Sequence, residues 1–226
     1  MKCYFITATG TDIGKTFLCS NLIRLLRKQS YQVKALKPII SGFDISDAQN
    51  YLAGDNGQIL DALGQDLSIE NLQRISPFSF TYPASPDIAA RHAAKPYLDY
   101  HKILELCQDF IVNQDADFAF IEGVGGVMVP INQQKLISDL IKDLQIEIIL
   151  VTGNYLGTLS HSLTALNALD GQNIPHVIFN DINDNPTSLA ENITSLSNFY
   201  SGNIHKLHHD KHVEFTSSLE KLAQML

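Results

Sequence analysis

A short apolar, β-prone run at residues 3–7, a turn of small and polar residues, and a segment at 15–28 with apolar residues at helical spacing make a strand, a loop and a helix in immediate succession. The connecting loop reads ATGTDIGKT, from Ala8 to Thr16. In such a turn successive backbone N–H groups point inward and the helix N-terminus adds about half a positive charge, so the loop can cradle a polyphosphate. Lys15 is expected to reach the β and γ phosphates and the Thr16 hydroxyl to ligate Mg2+, the division of labour in G-x-x-x-x-G-K-[ST]. The first glycine of that pattern would fall at position 9, which is Thr9, with Gly10 following, so the spacing is a variant.

Further runs, mostly apolar and not alternating, recur at residues 33–36, 118–121, 147–152 and 176–180, the pattern of strands buried on both faces. Helical spacing falls between them, at 58–63, 100–113, 136–144, 158–169 and 187–200. Interleaved strands and helices predict an α/β fold, a mostly parallel sheet covered by helices on both faces. No repeat or flexible linker divides the chain, so a single P-loop NTPase domain over 1–226 is expected. The stretches 41–57 and 76–96 read as surface loops, the second restrained by Pro77, Pro83 and Pro86.

A net charge of −8 opposes general binding to nucleic acid or acidic membranes, so phosphate recognition must be local. Three widely spaced cysteines, Cys3, Cys19 and Cys107, suggest neither a disulfide framework nor a zinc site. No apolar run approaches the length of a membrane span, and the start lacks the features of a signal peptide; a cytoplasmic protein is expected.

A magnesium nucleotide needs carboxylates opposite Thr16. Glu122 ends the buried run at 118–121 and is followed by Gly123, Val124, Gly125 and Gly126, so it stands where ligands bind in open α/β sheets. Asp55 is either a second metal ligand or a turn or helix cap. Lys37 closes the run 33–36 at the same sheet edge as the phosphate loop, and two lysines there suit an anionic reacting centre. Gly153 and Gly157 mark a tight turn, with Thr158 as a helix N-cap. His205, His208, His209 and His212 are irregularly spaced on a polar segment and read as solvent-exposed, not as a metal site.

In order and spacing the chain resembles the dethiobiotin synthetase family. The carrying features are ATGTDIGKT, ALKPIISG (Ala35 to Gly42), Asp55, PASP (Pro83 to Pro86), IEGVGGVMVPI (Ile121 to Ile131), VTGNYLGTLSHSLT (Val151 to Thr164), and Asn180 with Asp181. The resemblance implies a homodimeric ligase that closes the ureido ring of dethiobiotin on 7,8-diaminopelargonic acid with CO2, ATP and Mg2+. A carbamate forms and takes the γ-phosphoryl group, and the second amine displaces phosphate from the mixed anhydride. It also implies site residues: Lys37, Lys15 and Thr11 in catalysis; Asp12, Ile13, Gly14, Lys15, Thr16, Phe17 and Asn180 at the nucleotide, with Asn180 meeting the adenine; Ser41 at the substrate. Thr16, Asp55 and Glu122 would hold the metal, and the Gly157, Thr158, Ser160 turn of the neighbouring subunit the substrate carboxylate. Departures are Ala8 where Gly is usual, Asp12 where Glu is commoner, no basic residue beside Asp87, and SGNIHKLHHD in place of a proline-bearing adenine loop.

Three other functions fit parts of this pattern. An amidotransferase-like ligase such as cobyrinic acid diamide synthetase needs a glutaminase domain, for which 226 residues leave no room. A partitioning-ATPase switch carries a signature Lys where this chain has Gly10. A non-catalytic domain of the same fold would not need Lys15, Thr16, Lys37 and Glu122 together.

Overall fold

A computed structural model describes residues 1–94, 98–113, 115–181, 188–208 and 212–226, with the side chains of 208 and 212–217 not described. Six strands form one sheet in the order β2-β5-β1-β6-β7-β8: β1 Lys2–Ala8, β2 Val33–Leu36, β5 Phe118–Glu122, β6 Glu147–Gly153, β7 His176–Asp181 and β8 Asn203–His208. Every neighbouring pair in it is parallel. Two short strands, β3 Ile39–Ser41 and β4 Phe78–Phe80, pair in a second small sheet.

Alternation along the central strand explains why a continuous apolar run is needed. Tyr4, Ile6 and Ala8 enter one core and Phe5 the other, because successive side chains of a strand leave opposite faces. The first core is covered by α1 Lys15–Lys28, α2 Asp55–Ala62, α3 Ile69–Ile75 and α9 His212–Met225. The second is covered by α4 Pro86–His92, α5 Tyr100–Val112, α6 Ile137–Leu144, α7 Thr158–Ala168 and α8 Leu189–Leu196. The expected helix-covered parallel sheet is what the chain forms. No helix among the described residues is long and apolar enough to cross a membrane.

Three expectations need correction. The stretch 41–57 contains a 3-10 helix at Ala48–Ala53, and 76–96 contains β4 and α4, the latter opened by Pro86 at a first-turn position that has no use for a backbone N–H. The histidine-bearing tail is not simply a solvated segment. Its residues Asn203–His208 add a sixth strand, and His205 is part-buried with Nε2 3.0 Å from Nδ1 of buried His176. Its polar residues Asn203, His205, Lys206 and His208 leave no apolar run to mark this edge strand in the sequence. His209 and the side chains of His208 and His212 lie outside the described residues. Thr158 is not the cap of α7, a position taken by Gly157 at φ 92°.

The sheet order puts β1 between β5 and β6, and the chain leaves β1 across β5 to reach β2, while later strands build outward on the other side. Such a reversal opens a crevice at the carboxyl ends of the strands. The loop after β1, Lys37 after β2, Glu122 at the end of β5 and Asn180 near the end of β7 all meet at that rim.

Candidate active site

The phosphate loop leaves β1 with Thr9 N–H bonded to Val151 O at 3.0 Å and enters α1 through Gly14. Gly14 has φ 98°, in the left-handed region, and a Cβ there would stand 2.1 Å from Asn180 Nδ2; only glycine fits both demands. On the other side Gly126 brings the loop after β5 against Thr9 and Gly10, where a Cβ would approach the backbone to 3.1 Å. Asp12 also lies at positive φ, 56°, a conformation Asp tolerates better than most side chains.

Lys15 is buried and its ammonium bonds Gly10 O at 3.1 Å, folded back over the loop. Burial and then the neighbouring Lys37 charge push its pKa down to about 8, against the pull of Glu122, Asp55 and Asp12. Thr16 donates to Glu122 Oε1 at 2.6 Å. Lys37, 1% exposed, donates to the same oxygen at 2.6 Å and pairs with Asp55 Oδ2 at 2.8 Å. Burial disfavours its charge, but Glu122 and Asp55 outweigh that and hold its pKa above the ordinary lysine value. Lys37 is therefore not a surface lysine with its ammonium in water.

Asp55 is the first residue of α2, where the helix N-terminus favours a carboxylate. Burial raises its pKa, yet Lys37, the Thr16 hydroxyl and Lys15 together hold it below the usual carboxylate range. Glu122 is wholly buried, and its second oxygen, Oε2, has no hydrogen-bond partner. A buried carboxylate oxygen without a partner, beside a hydroxyl and a second carboxylate, is a donor set that suits a hard cation taking oxygen ligands.

Lys15, Thr16, Lys37 and Asp55 floor a cavity of about 860 Å³. Its lining brings together Thr11, Asp12, Gly14, Lys15, Thr16, Phe17, Lys37, Ser41 and Asp55 from the expected set. The Ser41 hydroxyl is buried and unpartnered there. The wall also holds Pro83, Ala84 and Ser85 with Val124, Gly125 and Val129; Val124 and Gly125 belong to the glycine run after Glu122, and the PASP and IEGVGGVMVPI resemblances pointed to the others.

Six expected residues lie outside the lining: Glu122, which is wholly buried, and Ile13, Asn180, Gly157, Thr158 and Ser160. Asn180 sits beneath the phosphate loop, its Nδ2 donating to Ile13 O within the loop at 2.8 Å, and Asn180 Oδ1 is buried without a partner. Gly157 and Ser160 are exposed, next to Leu156 at 82% exposure. Thr158 is buried, its hydroxyl donating to Gly153 O at 2.5 Å with Thr152 Oγ1 3.0 Å away, so any ligand at that turn meets Ser160 and the backbone instead.

A family model described as an AAA domain matches residues 2–225. The ATP-dependent dethiobiotin synthetase BioD of Phenylobacterium zucineum (strain HLK1) is 42% identical over 169 residues, covering 75% of this chain and 70% of that protein. The protein of the same name from Legionella pneumophila (strain Paris) is 35% identical over 198 residues, covering 87% and 88%. Among solved structures the MinC:MinD cell division protein complex of Aquifex aeolicus aligns over 100% of this chain and 95% of that one, with a TM-score of 0.57 at 15% identity, a likeness of fold alone. Identity of this extent, over most of both chains, establishes that the chain belongs to the ATP-dependent dethiobiotin synthetase family.

Proposed function

We propose that the chain is an ATP-dependent ligase that closes the ureido ring of dethiobiotin from 7,8-diaminopelargonic acid and CO2, acting in the cytoplasm as one domain per protomer of a homodimer. The observation that carries this is the buried Lys37 ammonium, held between Glu122 and Asp55 on the floor of a cavity that the phosphate loop and Ser41 share. Two negative centres develop in the reaction, a carbamate on one substrate amine and the transferring phosphoryl group. Fixed cations and backbone donors stabilise both without a protein nucleophile.

The steps balance on the substrates alone. One amine adds to CO2 and loses a proton, giving the carbamate; its oxygen attacks the γ-phosphorus and ADP leaves. The other amine then attacks the carbonyl carbon and expels phosphate. Lys15 and the N–H groups of the loop bind the triphosphate, Lys37 faces the carbamate and phosphoryl oxygens, Thr11 joins them at the reacting groups, and Ser41 orients the diamine. Asp12, Ile13, Gly14 and Phe17 shape the nucleotide side, and Asn180 serves the base. Mg2+ would be held by Thr16, Asp55 and Glu122, where it supplies neutralisation of phosphate charge. Ser160 and the backbone of the Gly157–Thr158 turn of a second protomer would receive the substrate carboxylate. Phosphate release from ATP tests the reading. It is expected to require both diaminopelargonic acid and bicarbonate, and release at the same rate without the diamine would overturn it.

A further inference from the structure

At the rim beside the phosphate loop, three buried asparagines are bonded in series. Asn192, on α8, donates from Nδ2 to Asn154 Oδ1 at 2.8 Å. Asn154, just beyond β6, donates from its own Nδ2 to Asp181 Oδ1 at 3.0 Å, and its backbone N–H donates to Asn180 O at 2.8 Å. Asn180 in turn donates from Nδ2 to Ile13 O inside the phosphate loop. All three asparagines are no more than 5% exposed.

The direction of each amide is settled by its neighbours. Because Asn154 Nδ2 is turned to a carboxylate, its Oδ1 must face Asn192 as an acceptor. With both sides of the amide engaged, Asn154 cannot rotate without stranding a buried polar group. The end of β7 is thereby held, and Asn180 projects from it under the loop at the one point where Gly14 leaves room for nothing larger than hydrogen. We propose that Asn154 and Asn192 are positioning residues for the phosphate loop, acting through Asn180 as a strut that fixes the Ile13 carbonyl and so the inward set of the loop N–H groups. This rests on the loop binding a nucleotide triphosphate. It differs from a contact to the base in placing the effect on the phosphates.

Two variants test it. Asn154→Asp keeps the acceptor for Asn192 but sets two carboxylates against each other at Asp181, and Asn192→Leu removes the donor while keeping the branching and length of the side chain. Calorimetry on each folded variant would measure binding of ATP and, separately, of inorganic tripolyphosphate, which has no base. Both ligands are expected to weaken by about tenfold, the scale of one stranded buried polar group. In turnover the KM for ATP should rise while kcat and the KM for the diamine stay near wild type, a split that general loosening of the fold would not give. If ATP weakens and tripolyphosphate does not, the ladder serves the base and the proposal is overturned; unchanged binding of both overturns it equally. If Asn154→Asp does not fold, Asn192→Leu alone decides. Failure of the wild-type protein to bind either ligand would instead overturn the nucleotide reading of the loop.

Discussion

The Lys37 ammonium lies 2.6 Å from Glu122 Oε1, and neither side chain is more than 1% exposed. A pair taken so completely out of water is held by mutual attraction and by its further bonds, to Asp55 and Gly123 O for the lysine and from Thr16 for the glutamate. Such pairs seldom maximise stability, since the desolvation of two charges offsets much of their attraction. Removing one partner, however, leaves an uncompensated buried charge.

Lys37→Gln is therefore expected to lower stability by about 3 kcal/mol and turnover by about 10² or more, while nucleotide binding survives. The double change Lys37→Met with Glu122→Leu should recover much of the stability and none of the activity. Urea denaturation and single-turnover kinetics on the same samples check both parts. Near-normal turnover in Lys37→Gln would remove the residue from the reaction.

Glu122 Oε2 and Asp55 bear on magnesium. Glu122→Gln and Asp55→Asn should each shift the magnesium half-saturation of turnover upward by about tenfold or more, because each replaces a charged oxygen ligand by a neutral one. Asp55→Asn is the cleaner probe, since Asp55 is 43% exposed and its loss disturbs the buried pair less. Half-saturation unchanged in both variants would discard the metal assignment.

Lys15 makes nucleotide binding pH-dependent in a defined direction. Its pKa in the folded protein is lowered to about 8 from 10.5. Below about pH 8 the folded and unfolded chains both carry the charge, and the cost of burying it is present in full. Between about 8 and 10.5 the folded protein sheds the proton and that cost is relieved. A bound polyphosphate favours the charged form, so ATP binding should take up a proton near pH 9 and weaken by up to about tenfold per pH unit above 8. Calorimetry in two buffers of different ionisation enthalpy reads the proton directly. Binding at pH 9 with no proton uptake would show that Lys15 does not set the dependence.

The paired His176 and His205 should make the protein lose stability in mild acid. Burial lowers both pKa values, that of His205 to about 4 with a contribution from His176, while Glu147 acts in the opposite sense on His176. Groups held neutral in the fold contribute stability that is present above about pH 6.5 and declines as the pH falls toward 4, where the unfolded chain binds more protons. His205→Gln should flatten the melting temperature between pH 6.5 and 5. An unaltered pH profile in that variant would locate the acid sensitivity elsewhere.

The exposed turn at Gly157 and Ser160 allows a test of a site shared between protomers. Ser160→Glu, on the surface at the start of α7, should fold, but its charge repels a substrate carboxylate. Refolded with an excess-free equal mixture of Lys37→Gln, half the dimers are mixed and each contains one site with both parts intact, so about a quarter of wild-type turnover should return. Native mass spectrometry would count the mixed dimers. Their presence without activity would place each site within a single chain.

The sequence by itself determined the central strands and the loop between β1 and α1. Runs such as residues 148–151 are apolar throughout because both faces of the strand are covered, and such runs announce themselves. Gly14, Lys15 and Thr16 were legible for a similar reason: strand, turn and helix are contiguous in the chain, so local order places them. The edge strand β8 was not legible, since Asn203, His205 and Lys206 break the apolar pattern and its existence depends on β7 being there to pair with. Only the tertiary structure decided that Lys37 is buried, that Thr16 and Lys37 share one oxygen of Glu122, and that Asn154 and Asn192 reach the phosphate loop through Asn180. These contacts join residues 85, 106 and 167 positions apart, as for Lys37–Glu122, Thr16–Glu122 and Asn180–Ile13. Separations of that size leave no periodicity in a single sequence; a parallel sheet creates them when it gathers the carboxyl ends of distant strands at one rim.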